Sequence, residues 1–223
     1  MQSRNFDRFA AGMAYLSALI ALAYSASFGY YVKRGDAWAQ YTSSGLLMAG
    51  GLIGLPVLVA LFQRVRHVDE GFALVGLLVA VAAAFGSVLH GAHDVAVFAN
   101  PAQAPGSPDY PSYTDPRGFA TFALFGLGLI VLSALLRGVL SKTISTVGIV
   151  SGLLTIVVYI GRVTVLDPKR WWVAIAAFAS GVVGVPLWNI LVGRELARPA
   201  LAARGALQPN APSARSASMA SSS

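Results

Sequence analysis

The chain lacks cysteine and has little charge. Only 11% of its 223 residues are charged, 56% are hydrophobic, and the mean hydropathy is +0.66. The absence of cysteine excludes disulfides, thiolate metal sites, iron–sulfur clusters and thiol nucleophiles. So few charges cannot cover a soluble globule of this length. The composition therefore predicts an integral membrane protein.

Histidine is scarce as well, and the positive charge is dispersed. The histidines are His67, His90 and His93, and the formal net charge is +7. The basic residues lie in short groups between apolar runs, which is typical of charges that flank membrane spans. We therefore expect no nucleic-acid partner. The expected partners are the lipid bilayer and, at the inner basic residues, anionic lipid headgroups; a membrane-protein partner stays open.

Six apolar stretches are long enough to cross a hydrocarbon core, which needs about 20 residues. They lie near residues 9–31, 43–62, 71–98, 118–136, 144–162 and 171–192. The predicted fold is an all-α, polytopic transmembrane helix bundle over residues 1–198. Residues 199–223 are rich in Ala, Ser, Pro and Arg, which predicts a disordered basic tail.

The distribution of Lys and Arg favours an N-in, C-in orientation. The basic residues then placed inside are Arg4, Arg8, Arg64, Arg66, Arg137, Lys142, Arg194, Arg198, Arg204 and Arg215. Those placed outside are Lys33, Arg34, Arg117, Arg162, Lys169 and Arg170. One alternative stays open: the first span could be a cleaved secretory signal, since Ala21-Leu22-Ala23 resembles a cleavage site.

Proline dominates the connection between the third and fourth spans. Residues 99–117 contain five prolines, so this segment can form neither a helix nor a central strand. Two alternatives stay open, a stiff lid over the bundle and a disordered crossing.

The stretch 85–94, FGSVLHGAHD, ends an apolar run with two histidines and a carboxylate. An ionisable residue in a membrane segment indicates a functional site. On the third span a four-three spacing aligns small and polar residues in one stripe: Gly76, Ala80, Ala83, Ser87, His90 and Asp94. Membrane helices pack through faces of small residues. We therefore expect His90 and Asp94 to point into the bundle.

A matching stripe on the fifth span consists of Gly148, Gly152, Thr155, Tyr159 and Arg162. Both stripes become polar toward the predicted outer surface, which leads to the hypothesis of an ion pair between Asp94 and Arg162. The candidate polar cluster around this pair also contains His90, His93, Tyr159 and Tyr24. His90 lies about 28 Å from the inner boundary, at the far edge of a core of about 30 Å. An interfacial and a more deeply buried cluster both stay open.

Several chemistries are open to the cluster. His90, His93 and Asp94 are weak candidates for metal ligands, because the histidines point about 60° apart on a helix and no third histidine or glutamate is near. Two histidines on one helical turn cannot sandwich a haem iron, and every lysine lies at a span end, which argues against a Schiff base. A proton relay and a structural ion pair stay open. We expect no cofactor and no metal.

A short sequence echo links the second and sixth spans. Each has two glycines three residues apart, a proline two residues later and an arginine eight residues beyond that: Gly51, Gly54, Pro56 and Arg64, then Gly181, Gly184, Pro186 and Arg194. These glycines and prolines are candidate packing and kink positions. A duplicated helix pair and a shared packing device both explain the echo.

Several short motifs resemble the bacterial six-helix membrane proteins of the domain of unknown function 4386 type. These motifs are Asp115-Pro116-Arg117-Gly118-Phe119-Ala120, the span from Gly148 to Arg162, Val165-Leu166-Asp167-Pro168 and Gly184-Val185-Pro186-Leu187-Trp188. The resemblance covers most of the chain up to about Arg198. It implies a six-helix protein of the bacterial plasma (inner) membrane, and it implies no activity or site residue.

Two classes of function follow from these observations. We expect a non-enzymatic transporter-like, accessory or sensory module with a polar cluster at its outer face. The alternative is an intramembrane metal- or cofactor-dependent enzyme or redox subunit that uses His90, His93 and Asp94.

Overall fold

The computed structural model of the protein describes residues 4–100, 116–165, 167 and 169–198. Within these ranges the regular structure is helical throughout. The six helices are α1 (Arg4–Arg34), α2 (Ala37–Val65), α3 (Glu70–Ala99), α4 (Pro116–Leu136), α5 (Lys142–Thr164) and α6 (Trp171–Ala197). All six are long and apolar enough to cross a membrane. The predicted all-α bundle of six spans is therefore confirmed, while its N-in, C-in orientation stays a prediction.

The helices are longer than the apolar runs that predict them. For example, α2 begins at Ala37 and α6 continues to Ala197, beyond the predicted ranges 43–62 and 171–192. Helical hydrogen bonding continues beyond the apolar runs because polar side chains tolerate the membrane interface. Residues 101–115 of the proline-rich segment and the predicted tail over 199–223 lie outside the described residues.

Local sequence signals place several helix ends. The backbone N–H of Phe72 donates to the Asp69 side chain at 2.9 Å, which caps the start of α3. Ser141 caps α5 in the same way through Ile144. Between α1 and α2 the turn needs a left-handed residue, and Gly35 supplies it with a φ of 75°. Short turns of this kind make successive helices antiparallel.

The helices form a closed ring. Each helix packs on its neighbours in the chain, and α6 returns to pack on α1. The end of the ring where α1, α3 and α5 end is called here the Asp94 end, and the opposite end the Arg64 end. The buried apolar core lies in the half toward the Arg64 end, where Leu61, Leu136 and Val192 have 0% exposure. The bundle is therefore packed solid at one end only.

The two predicted stripes face the interior of the ring. All six stripe residues of α3 are buried, as are Gly148, Gly152, Thr155 and Arg162 of α5. Tyr159 is half-buried. The periodicity of small and polar residues therefore correctly identifies the inward face of both helices.

The residues of the sequence echo have different surroundings. A Cβ added to Gly51 would lie 2.5 Å from the Ala84 carbonyl oxygen on α3, whereas one added to Gly54 would meet no atom within 4 Å. Near Gly181 and Gly184 the closest groups are serine hydroxyls. The echo is therefore not one repeated packing contact.

The prolines of the echo also differ in their helical context. Pro56 lies inside the α-helix of α2, whereas Pro186 follows a π-helical segment, Ala179–Gly184. Proline removes one backbone N–H and displaces the preceding turn, and a wide turn accommodates this displacement in α6. A second π-helical segment, Phe119–Leu124, lies near the start of α4.

The crossing of α4 and α5 depends on a pair of glycines. A Cβ added to Gly126 would lie 2.6 Å from the Gly152 carbonyl oxygen, and one added to Gly152 would lie 2.6 Å from that of Gly126. Either added methyl group must push the helices apart. We expect Gly126→Ala and Gly152→Ala each to lower the free energy of unfolding in detergent by about 1–3 kcal/mol, the typical cost of overpacking.

Gly12→Ala is the matched control, because a Cβ added to Gly12 meets no atom within 4 Å. Alanine favours a helix over glycine by about 1 kcal/mol, so this variant should be as stable as the wild type or more stable. Equal stability of Gly152→Ala and Gly12→Ala would contradict the proposed close crossing.

Candidate functional site

A polar cluster occupies the end of the inward stripe of α3. The exposed fractions of His90 and Asp94 are 1% and 2%. They lie one helical turn apart, and His90 Nε2 lies 3.5 Å from Asp94 Oδ2. A carboxylate buried this deeply needs compensation by cations or hydrogen-bond donors.

One such cation is Arg117, in the first turn of α4. Arg117 Nη1 donates to Asp94 Oδ1 at 2.7 Å, a short charge-assisted bond. The Arg117 side chain is 23% exposed, so it reaches the buried carboxylate from the surface. The contact joins the end of α3 to the start of α4.

His93 lies beside this ion pair. Its side chain is 51% exposed, and its Nδ1 lies 3.1 Å from Asp94 Oδ1 and in close contact with Arg117 Nη1. With the ring proton on Nε2, the Nδ1 of His93 accepts a hydrogen bond from Arg117, and with the proton on Nδ1 it donates to Asp94. The tautomer of His93 therefore decides which of the two contacts is a hydrogen bond.

His90 is held on its other side by α4. His90 Nδ1 lies 3.1 Å from the Thr121 hydroxyl oxygen, and the His90 ring meets Phe122 edge to face with centroids 6.3 Å apart. Thr121 and Phe122 both belong to the π-helical segment of α4. Such wide turns often occur at functional sites, and here the segment carries both His90 contacts.

Arg162 of α5 lies against the same stretch of α4. Its guanidinium carbon is 5.8 Å from the centroid of the Phe122 ring, a cation–π geometry. A Cβ added to Gly118 would lie 2.8 Å from Arg162 Nε, so the side chain covers this glycine. One residue of the predicted cluster, Tyr159, packs edge to face on Phe119 with centroids 5.6 Å apart. The ion pair between Asp94 and Arg162 stays a prediction.

Three residues of this site were missed in the sequence: Arg117, Thr121 and Phe122. The charge distribution identifies Arg117 only as an outer flanking charge. A usable signal is its position directly before the predicted fourth span, at the end of the bundle where the predicted third span ends. The contacts of Thr121 and Phe122 had no such signal, since they depend on the π-helical segment.

The metal hypothesis gains no additional ligand from the fold. Across the described ranges, no group of three or more His, Cys, Asp or Glu residues is arranged to hold a metal ion. Both nitrogens of His90 already face protein groups, Thr121 and Asp94. His90, His93 and Asp94 lie together and form a network with Arg117.

The half of the ring toward the Asp94 end encloses a cavity of about 500 Å³. All six helices contribute to its wall. The floor of the pocket consists of buried side chains, among them Val57, Leu132, Trp188 and Asn189. At the other end of the pocket, the lining residue Asp167 is exposed. The cavity is thus a pocket that is closed toward the Arg64 end and reaches the surface at the Asp94 end.

The polar cluster and the pocket share part of one wall. Thr121, Phe122 and Arg162 line the pocket, and Thr121 and Phe122 also contact His90. A change in the cluster would therefore reach the pocket through the π-helical segment of α4. This arrangement can hold a ligand of drug-like size, for which pockets of about 300–1,000 Å³ are typical.

Comparisons with known proteins give no relatives. No protein-family profile matches the chain, no curated protein is significantly similar to it, and no solved structure matches its fold.

The ion pair between Asp94 and Arg117 can be measured with a double-mutant cycle. Arg117→Gln leaves a buried carboxylate with fewer donors, so we expect it to lower the free energy of unfolding by about 2 kcal/mol, less than for a fully buried pair. Asp94→Asn combined with Arg117→Gln should recover part of that loss. The expected coupling energy is about 1–3 kcal/mol, read from unfolding in detergent.

Two further cycles serve as comparisons. Asp7 and Arg64 form a 2.9 Å pair at the other end of the bundle, with 15% and 23% exposure, so their coupling should be smaller. A cycle of Asp94 with Arg162 tests the pair predicted from the stripes. Zero coupling between Asp94 and Arg117 would contradict the stabilising role of their contact.

Proposed function

We propose that the protein is a non-enzymatic, multi-pass membrane protein that binds a small ligand in the pocket at the Asp94 end. The observation that carries this proposal is the pocket of about 500 Å³, walled by all six helices and closed below by the packed core. Membrane helices pack through close contacts of small residues, so a space of this size inside the ring implies an occupant. A transporter-like or sensory role follows from such binding.

The pocket also favours a binding function over the enzymatic alternative. Enzymatic chemistry at His90, His93 and Asp94 would need a metal or cofactor, and the side chains around His90 are already engaged with one another. Thr121 and Phe122 connect the cluster to the pocket wall. We assign the cluster the role of fixing that wall beside the ligand.

We extend the proposal to the location and orientation of the protein. The ten basic residues counted at the Arg64 end and in the tail support an N-in, C-in topology, with contacts to anionic headgroups. The resemblance to six-helix proteins of the domain of unknown function 4386 type supports the bacterial inner membrane. The Asp94 end then faces outward.

The proposed binding site can be tested by filling the pocket. Gly54 lines the pocket, and a Cβ added there meets no atom within 4 Å, so Gly54→Phe should place its ring in the space without strain. We expect purified wild-type protein to carry small molecules that mass spectrometry detects after denaturation, and Gly54→Phe to carry at least tenfold less of them.

Gly12→Phe is the matched control, since Gly12 also has open space around it but does not line the pocket. It should retain the same compounds as the wild type. Identical sets of bound compounds in the wild type and in Gly54→Phe would remove the support for a ligand in this pocket.

The orientation can be tested separately because the chain has no cysteine. We expect Lys169→Cys, at the Asp94 end, to react with a membrane-impermeant maleimide in intact bacterial cells. Gly138→Cys, in the turn between α4 and α5 where a Cβ meets no atom within 4 Å, should react only after the cells are broken. The reverse pattern would overturn the N-in, C-in topology.

A further inference from the structure

The surface around the pocket mouth has an excess of positive charge. Among the described residues at the Asp94 end, the cationic side chains are Lys33, Arg34, Arg117, Arg162, Lys169 and Arg170. The carboxylates there are Asp36, Asp94 and Asp167. Asp94 is already paired with Arg117. The exposed Asp167 also lines the pocket, and it accepts a hydrogen bond from the Lys169 backbone N–H at 2.9 Å. The charge balance at the mouth therefore favours an anionic group over a cationic one.

One of these cations belongs to the pocket wall. Arg162 lines the pocket with 9% exposure, held between Gly118 and the Phe122 ring. A guanidinium offers five N–H donors in a planar fork, which suits a carboxylate or a phosphate. An anion at the mouth can therefore join the existing contacts of Arg162 without needing an additional cation.

Below Arg162 the wall becomes apolar. Phe125, Leu129 and Val158 line this part of the pocket. Two hydroxyls in the wall bond within their own helices, with Thr155 donating to the Ser151 carbonyl at 2.8 Å and Ser87 to the Ala83 carbonyl at 3.1 Å. The Ser17 hydroxyl, also in the wall, has no hydrogen-bond partner among the described residues. The two bonded hydroxyls add little polarity to the wall. The lower pocket therefore suits a hydrocarbon.

The length of the pocket can be read along α1. Ser17 and Val32 both line the pocket. They lie fifteen residues apart in this helix, which corresponds to about 22 Å. The pocket is thus long relative to its volume of about 500 Å³.

From these observations we propose that the pocket binds a single-chain anionic amphiphile, a long-chain fatty acid, with its carboxylate at Arg162 and its chain directed toward Trp188. This inference rests on the proposed binding function and names the ligand class. A volume of about 500 Å³ spread over this length suits one hydrocarbon chain rather than the two chains of a phospholipid. The net positive mouth supplies the charge complementarity for the carboxylate.

Trp188 provides an optical readout at the floor. The chain has four tryptophans, and replacing Trp38, Trp171 and Trp172 by Phe leaves Trp188 as the single emitter. Trp188 is only 4% exposed, so bromine atoms in the surrounding lipid should quench it weakly. The full chain is studied in nanodiscs of unbrominated phosphatidylcholine at pH 8, where the added fatty acid is a carboxylate.

The probe is a long-chain fatty acid brominated at its terminal carbon. We expect it to quench Trp188 with a saturable dependence on concentration. The alcohol of the same chain length and bromine position should need about a tenfold higher concentration, the effect of losing one charge-assisted hydrogen bond. The same acid brominated next to its carboxylate should quench much less, because that bromine stays near Arg162.

Variants then localise the headgroup. Arg162→Gln should raise the concentration needed for half-maximal quenching by about tenfold, whereas Arg66→Gln, an exposed arginine at the Arg64 end, should leave it unchanged. Arg162→Lys keeps the charge and should lie between them. The comparison of the acid with the alcohol uses protein that keeps Arg162, so the test holds even if Arg162→Gln fails to fold.

The outcomes separate the two proposals. Equal quenching by the alcohol and the acid, with both abolished by Gly54→Phe, would overturn the fatty-acid assignment and leave a ligand-binding pocket. Saturable quenching only by a brominated two-chain anionic phospholipid would also overturn it. The absence of saturable quenching by every probe, together with the same bound compounds in the wild type and Gly54→Phe, would overturn the binding function itself.

Discussion

The structure depends on how closely its helices can approach inside a bilayer. Lipid tails are as apolar as leucine, so helices gain little from burying apolar side chains and associate through backbone contacts. Glycines provide these contacts around the ring: Gly51 faces the backbone of α3, and Gly126 and Gly152 face each other. Toward the Arg64 end such contacts leave room for a compact core of leucines and valines. Toward the Asp94 end the same ring encloses the pocket.

The polar cluster connects α3 and α4 in the half of the bundle where the pocket lies. Asp94 is almost fully buried, and its desolvation is compensated by Arg117 and the two histidines. A buried ion pair often stabilises a protein no more than apolar packing would, so stability alone gives no reason to place it here. Its position beside the π-helical segment gives such a reason, because that segment provides Thr121 and Phe122 to the pocket wall and Phe122 also contacts Arg162.

The sequence predicts the helices and their inward faces, and it fails at the contacts between helices. Hydropathy is a property of one segment and periodicity is a property of one helix, so the six spans and the burial of His90 and Asp94 can be predicted from the sequence.

The contacts of Asp94 also depend on which face α4 turns toward α3. A π-helical turn adds one residue and rotates the rest of the helix by about 100°. The wide turn over Phe119–Leu124 gives no periodic signal, which is why Thr121 and Phe122 were missed. The pocket was missed because a void is a property of all six helices together.

The closed floor distinguishes between the roles that a binding pocket can have. A transporter must open its pocket alternately to both sides of the membrane. Here the path from Trp188 to the Arg64 end passes through Leu132, Leu136 and Val192, which are at most 1% exposed. Opening this path would separate buried core side chains. A sensory role requires no such opening. A ligand beside Phe122 and Arg162 needs only to alter the contacts of α4 with His90 and Asp94, and these contacts lead to the surface through Arg117 and the exposed His93. If the pocket binds a ligand as proposed, a sensory role therefore requires less rearrangement of the bundle than transport does.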